Sequence, residues 1–189
     1  MRLFAAVELP DDVREVLSEW WLEASGYLKP SDWRPVPAHL WHLTLAFYGD
    51  VASDDADDLS EHLSACVENT QFIYLCTGGF GVFPKPARPR VFWAGVEDAD
   101  GGKSLKHLAH CCRRAGHATV RKRTAKETAF RGHITIARTR AYPKALGADV
   151  VKIIPKVPET RWCADRLSLF QSILRPEGPQ YRQLETFYF

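Results

Sequence analysis

The sequence predicts an α+β protein built from two similar lobes, each running strand, helix, strand, helix, strand. Segments of strand and helix periodicity recur in the same order in the two halves of the 189-residue chain. Arg2 precedes His42 by 40 positions and Arg90 precedes His133 by 43, so the repeat keeps its spacing. Each half also holds a His, an apolar residue, a Thr and a second apolar residue: His42-Leu43-Thr44-Leu45 and His133-Ile134-Thr135-Ile136. A repeated unit of this length marks related structural halves. They are expected at about 1–85 and 86–189 of one bilobal domain.

The elements follow in order. RLFAAVEL (2–9) is an apolar run suited to a buried strand. After Pro10, Val13, Val16, Leu17, Trp20 and Trp21 have helical spacing, with Asp11 and Asp12 in the first turn. PSDWRPVP reads as loop because of its prolines, and WHLTLAFYG as a strand ending at Gly49. The acidic run SDDADDLSEHLSACVE reads as a helix, and QFIYLCTGGFGVF (71–83) as a strand region broken by two glycines. The second half begins with the strand RVFWAGVE (90–97), whose letters match RLFAAVE with one insertion. A helix, KSLKHLAHCCRRAG, is expected to end at Gly116, followed by a short strand in HATVRK and another in FRGHITIAR. A short helix within YPKALGADVVKIIPKV and a closing strand, CADRLSLFQSIL, complete the chain.

Composition narrows the classes of function. With 46% hydrophobic residues, 25% charged and a net charge of +2, the chain suits a folded soluble protein rather than a disordered one. No apolar run is long enough to span a bilayer, and the amino-terminal run meets Pro10 too soon for a signal peptide. The five cysteines form no CxxC pair, which points to a reduced, cytoplasmic protein; adjacent Cys111 and Cys112 offer only a strained vicinal bridge. Between Arg113 and Arg140 the Lys and Arg residues face a single acid, Glu127. That stretch surrounds the second His-Thr pair and suits an anionic ligand. The chain has no Gly-rich phosphate loop, no GxSxG and no Rossmann fingerprint.

On a strand, residues i and i+2 share a face. His42 and Thr44 therefore project together while Leu43 and Leu45 enter the core, and His133 and Thr135 do the same. If an approximate two-fold axis relates the lobes, two imidazoles and two hydroxyls line one cleft. Threonine hydroxyls can donate to phosphate oxygens. Imidazoles, with an ordinary pKa of about 6.5, can take a proton from water and give one to a leaving oxygen. Opening a phosphodiester needs those two transfers, and this reading calls for no metal or other cofactor. The halves look symmetric, so the residues alone leave open which His is acid and which base. His39 with His42 forms an H-x-x-H unsuited to a helix, while His107, His110 and Cys111 form at most a fragment of a zinc site. His62 and His117 read as surface or helix-packing residues.

These residues resemble the two-histidine phosphoesterases, in particular the LigT-like RNA 2′,3′-cyclic phosphodiesterases, also called 2′-5′ RNA ligases. The resemblance runs through MRLFAAVELP, W-x-P…HLTLAFYGDV, FP…PRVFWAGV, FRGHITIAR and SILRPEGPQY. It implies a bilobal fold whose antiparallel sheets face a central groove. It also implies metal-independent opening of the cyclic phosphate at RNA ends to a 2′-phosphomonoester, with 2′-5′ ligation as the reverse reaction. His42 would be the proton donor, His133 the acceptor, and Thr44 and Thr135 the phosphate ligands. Phe130 is expected to stack on a base, and Arg131, Arg138, Lys122, Arg123 and Lys126 to contact RNA phosphates. On a regular strand Arg138 would point away from His133, reaching the groove only from a twisted end. The family usually has Pro before the second His, where this chain has Gly132. The expectation is that Gly132→Pro keeps activity. Two other readings share the groove: a cyclic phosphodiesterase acting on nucleotide-sized substrates such as a cyclic ADP-ribose phosphate or 2′-5′ oligoadenylates, and a non-catalytic RNA-binding module. No membrane and no obligate protein partner is expected.

Overall fold

The structure, a computed structural model, describes residues 1–68, 70–120, 129–140, 145–176 and 178–189. Strand β1 (Arg2–Glu8) leads through Pro10 into helix α1 (Asp11–Ser25), with Asp11 and Asp12 in its first turn. The helix buries Val13, Leu17, Trp20 and Ala24 along one stripe. Next come β2 (Trp33–Pro35), a 3-10 turn at Ala38–Leu40, β3 (His42–Asp50) and α2 (Ser53–Val67). Then follow β4 (Ile73–Phe83), β5 (Val91–Asp98), α3 (Ser104–Thr119) and β6 (His133–Thr139). The chain closes with α4 (Ala148–Ile153), β7 (Arg161–Ala164), β8 (Arg166–Arg175) and β9 (Gly178–Tyr188).

The strands form one curled antiparallel sheet in the order β7-β4-β5-β6-β3-β1-β8-β9, with β2 paired to β6. Strands β3 and β6, which carry the two motifs, lie side by side in the middle and are bridged at Leu43 and Ile134. The order interleaves the chain: β4 joins β5, while β8 pairs with β1 and carries β9 on its other side. Leu43, Leu45, Ile134 and Ile136 are fully buried in the core, whereas His42, Thr44, His133 and Thr135 are half-buried. One sheet face thus serves packing and the other the site.

Several elements differ from the expected ones, each for a local reason. Helix α3 runs past Gly116 to Thr119, replacing the start of the expected HATVRK strand; residues 121 and 122 of that segment lie outside the described residues. Gly116 does not end the helix but admits Tyr48, whose Cδ1 would lie 2.5 Å from a Cβ there. The tyrosine hydroxyl donates to the Cys112 carbonyl at 3.1 Å. Within PSDWRPVP, Trp33–Pro35 is a short strand, with its prolines tolerated at a sheet edge. The closing segment is three strands, because a break at Asp165 separates β7 from β8 and a turn then sends back β9. Cys66 and Cys111 form a disulfide between α2 and α3, whereas no disulfide or only a vicinal one was expected. Their Cα atoms are 5.7 Å apart, within bridging distance.

Candidate active site

His42 and His133 each open a strand, and the same contact orients both rings. His42 Nδ1 donates to the Leu40 carbonyl at 2.8 Å, and His133 Nδ1 donates to the Arg131 carbonyl at 2.8 Å. A carbonyl can only accept, so each neutral ring carries its proton on Nδ1 and leaves the Nε2 lone pair free. The strap before β3 is braced by Trp41 Nε1, which donates to the Val36 carbonyl at 2.9 Å, and by Val36 N–H, which donates to the Ile136 carbonyl at 2.8 Å. The first imidazole is thereby tied to the second motif strand.

From the Leu43–Ile134 bridge, the antiparallel register carries His42 toward Thr135 and Thr44 toward His133. Each imidazole neighbours the threonine of the other motif. Both strands then bulge at the same place. Along β3 the partners step from Ala6–Thr44 to Ala5–Ala46, passing over Leu45; along β6 they step from Trp93–Thr135 to Phe92–Ala137, passing over Ile136. The extra residue sends two successive side chains into the core and reverses the alternation beyond it. Phe47 and Arg138 therefore emerge on the groove face. Arg138 was expected among the phosphate contacts but to reach the groove only from a twisted strand end; the bulge instead turns it onto the groove face, and its charge acts on both imidazoles. The same register sets Glu8 opposite His42 and Gly95 opposite His133. The letter match between RLFAAVE and RVFWAGVE, which aligned Glu8 with Glu97, is therefore not the structural correspondence.

A groove of about 1000 Å³ runs over this face, lined by His42, Thr44, Thr135 and Arg138 with Arg2, Arg34 and Arg175. Phe4 lies 4.9 Å and Tyr181 5.2 Å from the His42 ring, centroid to centroid. Phe83 lies 4.9 Å and Trp93 6.3 Å from the His133 ring. Sequence reasoning did not single out these aromatics, although all four stood in segments quoted for the resemblance. Burial behind these walls disfavours the charged imidazoles. It pushes His42 down to about 4, partly offset by its bond to Leu40, with Arg138 and His133 lowering it further. His133 is lowered in the same direction, chiefly by burial and then by Arg138 and Arg131.

The profile of the 2′-5′ RNA ligase superfamily matches residues 9–173. The chain belongs to that superfamily. Its similarity to named relatives extends along nearly the whole chain. It is 32% identical to the RNA 2′,3′-cyclic phosphodiesterase of Thermus thermophilus over 99% of this chain and 89% of the relative. It is 31% identical to that of Archaeoglobus fulgidus over 99% of both. Among crystal structures, a Thermus thermophilus protein superposes with a TM-score of 0.77 at 31% identity, covering 100% of this chain and 97% of that one. LigT of E. coli complexed with 3′-AMP superposes at 0.79 and 26% identity, covering 99% and 97%. These likenesses support the LigT-like fold expected of this member of the 2′-5′ RNA ligase superfamily.

The remaining expected residues are scattered. Arg131 stacks its guanidinium 4.3 Å from the Trp93 ring centroid while its carbonyl holds His133. Phe130 packs partly against the core with Arg113 over its ring, and it borders a second, smaller cavity rather than the main groove. Lys122, Arg123 and Lys126 lie outside the described residues. Cys111, the thiol of the considered zinc fragment, is taken up in the disulfide. Among the described residues no cluster of three His, Cys, Asp or Glu side chains could hold a metal ion, and no helix is long and apolar enough to cross a membrane. At Gly132, a Cβ would lie 2.3 Å from the Val96 carbonyl oxygen. Proline brings that Cβ, so the expectation that Gly132→Pro is harmless gives way to one of displaced backbone beside His133.

Proposed function

We propose that this member of the 2′-5′ RNA ligase superfamily opens 2′,3′-cyclic phosphates at RNA ends, leaving a 2′-phosphomonoester. The observation that carries the reading is the pair of Nδ1-anchored imidazoles on adjacent strands, each beside a threonine and both under the charge of Arg138. The cyclic phosphate binds between them. Thr44 and Thr135 donate hydroxyl hydrogen bonds to its non-bridging oxygens, and Arg138 neutralises their charge. Its negative charge favours protonation of His42, reversing the effect of burial. His133 Nε2 takes a proton from water, the water oxygen bonds to phosphorus, the bond from phosphorus to O3′ breaks, and His42 Nε2–H protonates O3′.

Arg2, Arg34 and Arg175 along the groove favour a polynucleotide end over a nucleotide-sized substrate. With EDTA present, wild type is expected to convert RNA ending in a 2′,3′-cyclic phosphate to the 2′-phosphate, as identified by mass spectrometry. His42→Ala and His133→Ala should each lower kcat by about 10²–10⁴-fold. No turnover by wild type would overturn the reading, and full turnover by both variants would overturn the site.

A further inference from the structure

We infer that Cys66 and Cys111 form a reversible oxidation site: Cys111 reacts first, with a small anionic disulfide such as oxidised glutathione, and Cys66 resolves the adduct. The site stands apart from the two-histidine groove and goes beyond the proposed hydrolysis. Its bridge joins α2 to α3 across a sequence separation of 45 residues. Both cysteines are half-buried, so a small molecule can reach them, whereas Cys76 and Cys112 are buried. Burial pushes the Cys112 thiol up to about 12, which keeps it protonated and unreactive beside its bridged neighbour.

The two helices surround the sulfurs with opposite charge. Helix α3 includes Lys106, Arg113 and Arg114 and no acid. His107 and Arg114 are exposed and stand one turn before and one turn after Cys111, on its side of the helix. Cations so placed favour a thiolate at Cys111 and draw in an anionic reagent. Helix α2 carries Asp54, Asp55, Asp57, Asp58 and Glu61 with no Lys or Arg. Its one histidine, His62, stands a turn before Cys66 and donates from Nδ1 to the Asp58 carbonyl. Cys66 lies in the last turn, where the helix carbonyls carry partial negative charge, no basic residue offsets it, and Glu68 follows. A thiolate is disfavoured there. The reactive sulfur is therefore on α3 and the resolving sulfur on α2.

The steps balance. The Cys111 thiolate attacks one sulfur of the reagent, a bond forms between them, and the other half leaves as a thiolate that takes up a proton. Cys66 Sγ then loses its proton and attacks Cys111 Sγ, and the second half leaves and is protonated. Two protein thiols are oxidised, and one small disulfide is reduced to two thiols. The bridge ties down α3, which packs on β3, the strand of the first His-Thr motif. Tyr48 of β3 donates to the carbonyl of Cys112, next to the bridge, and fits where Gly116 lacks a Cβ. Oxidation thus fastens the lobe behind His42 from outside the groove.

The test uses the reduced 189-residue chain carrying Cys163→Ser, which removes the exposed thiol. Oxidised glutathione should convert it to the Cys66–Cys111 bridge with no glutathionyl group retained, as read by mass spectrometry and peptide mapping. Cys66→Ser should hold the group on Cys111, forming it about tenfold or more faster than Cys111→Ser forms one on Cys66. With both thiols present, substoichiometric iodoacetamide should alkylate Cys111 ahead of Cys66, which decides the order even if a serine variant does not fold. Arg114→Glu should slow the first step about threefold or more. The bridged form should melt about 5 °C or more above the reduced form, reversibly on adding a reducing agent. Equal reactivity of the two sulfurs, prior labelling of Cys66, failure to form the bridge, or equal melting temperatures would each overturn the inference. None of these readouts involves RNA, so the proposed hydrolysis stands or falls separately.

Discussion

At His42 and His133 a carbonyl two residues upstream holds Nδ1 while aromatic rings strip water from the imidazole. A histidine whose pKa falls is neutral over a wider range, so His42 in the free protein gains its proton only as pH approaches about 4. Activity with His42 protonated and His133 neutral therefore confines kcat/KM to an acidic window, its maximum below the ordinary imidazole value of about 6.5. Above that window the rate falls as His42 loses its proton, and below it as His133 gains one. The kcat profile, set in the phosphate-bound complex, should have its His42 limb at higher pH. Arg138→Gln removes a cation that lowers both groups. Its kcat/KM maximum should be lower and displaced to higher pH, and both histidine resonances should titrate higher by NMR. A profile for Arg138→Gln that keeps the wild-type midpoints would contradict this coupling. Gly132→Pro is expected to lower both the melting temperature and kcat, since the Val96 carbonyl occupies the space its Cβ needs. The His-Thr pairs were legible in the sequence because their information is local: residue type plus a period of two. The route by which Arg138 reaches the groove was not legible, because it depends on the bulge at Ile136, and one inserted residue reverses every side chain beyond it.

Among the elements, β3 and β6 set the separation of the two motifs through the Leu43–Ile134 bridge. Ile134 is fully buried beneath the site, so Ile134→Ala should cost about 2–5 kcal/mol in denaturant unfolding, and Ile134→Val about 0.5–1.5. If the bridge also sets motif spacing, Ile134→Ala should reduce kcat under conditions where the variant remains folded. Strands with buried faces, such as β1, β3, β5 and β6, announced themselves by apolar runs or alternation. β9 did not: most of its residues are exposed, so no alternation of burial is imprinted on its sequence. β2 was hidden by its prolines, and the end of α3 by a glycine selected for contact with Tyr48 rather than for termination. In each case a tertiary neighbour decided what the local pattern could not.

Across the whole molecule, the groove gathers Arg2, Arg34, Arg138 and Arg175 from four different strands. Backbone contacts of this kind are insensitive to base identity and release counterions, with an affinity slope of about −0.7 per phosphate contacted on a single strand. Affinity for single-stranded RNA should fall with salt accordingly. Arg34→Glu should raise KM for an oligonucleotide ending in a cyclic phosphate and leave KM for a cyclic mononucleotide nearly unchanged. Equal effects on both substrates would remove Arg34 from the path of the RNA chain.

The pairing of β1 with β8, in which Leu3 meets Gln171 and Ala6 meets Ser168, carries a consequence for biosynthesis. A growing chain that has reached residue 160 already holds both His-Thr motifs but lacks β8 and β9, and with them Phe170 and Tyr181. His42 then stands in water, its acid–base chemistry that of an ordinary exposed imidazole. The catalytic environment is completed only when the last strands leave the ribosome and close the longest loop in the fold, a slow kind of contact to make. Chains truncated before β8 should therefore lack the wall of the groove that Phe170, Arg175 and Tyr181 supply.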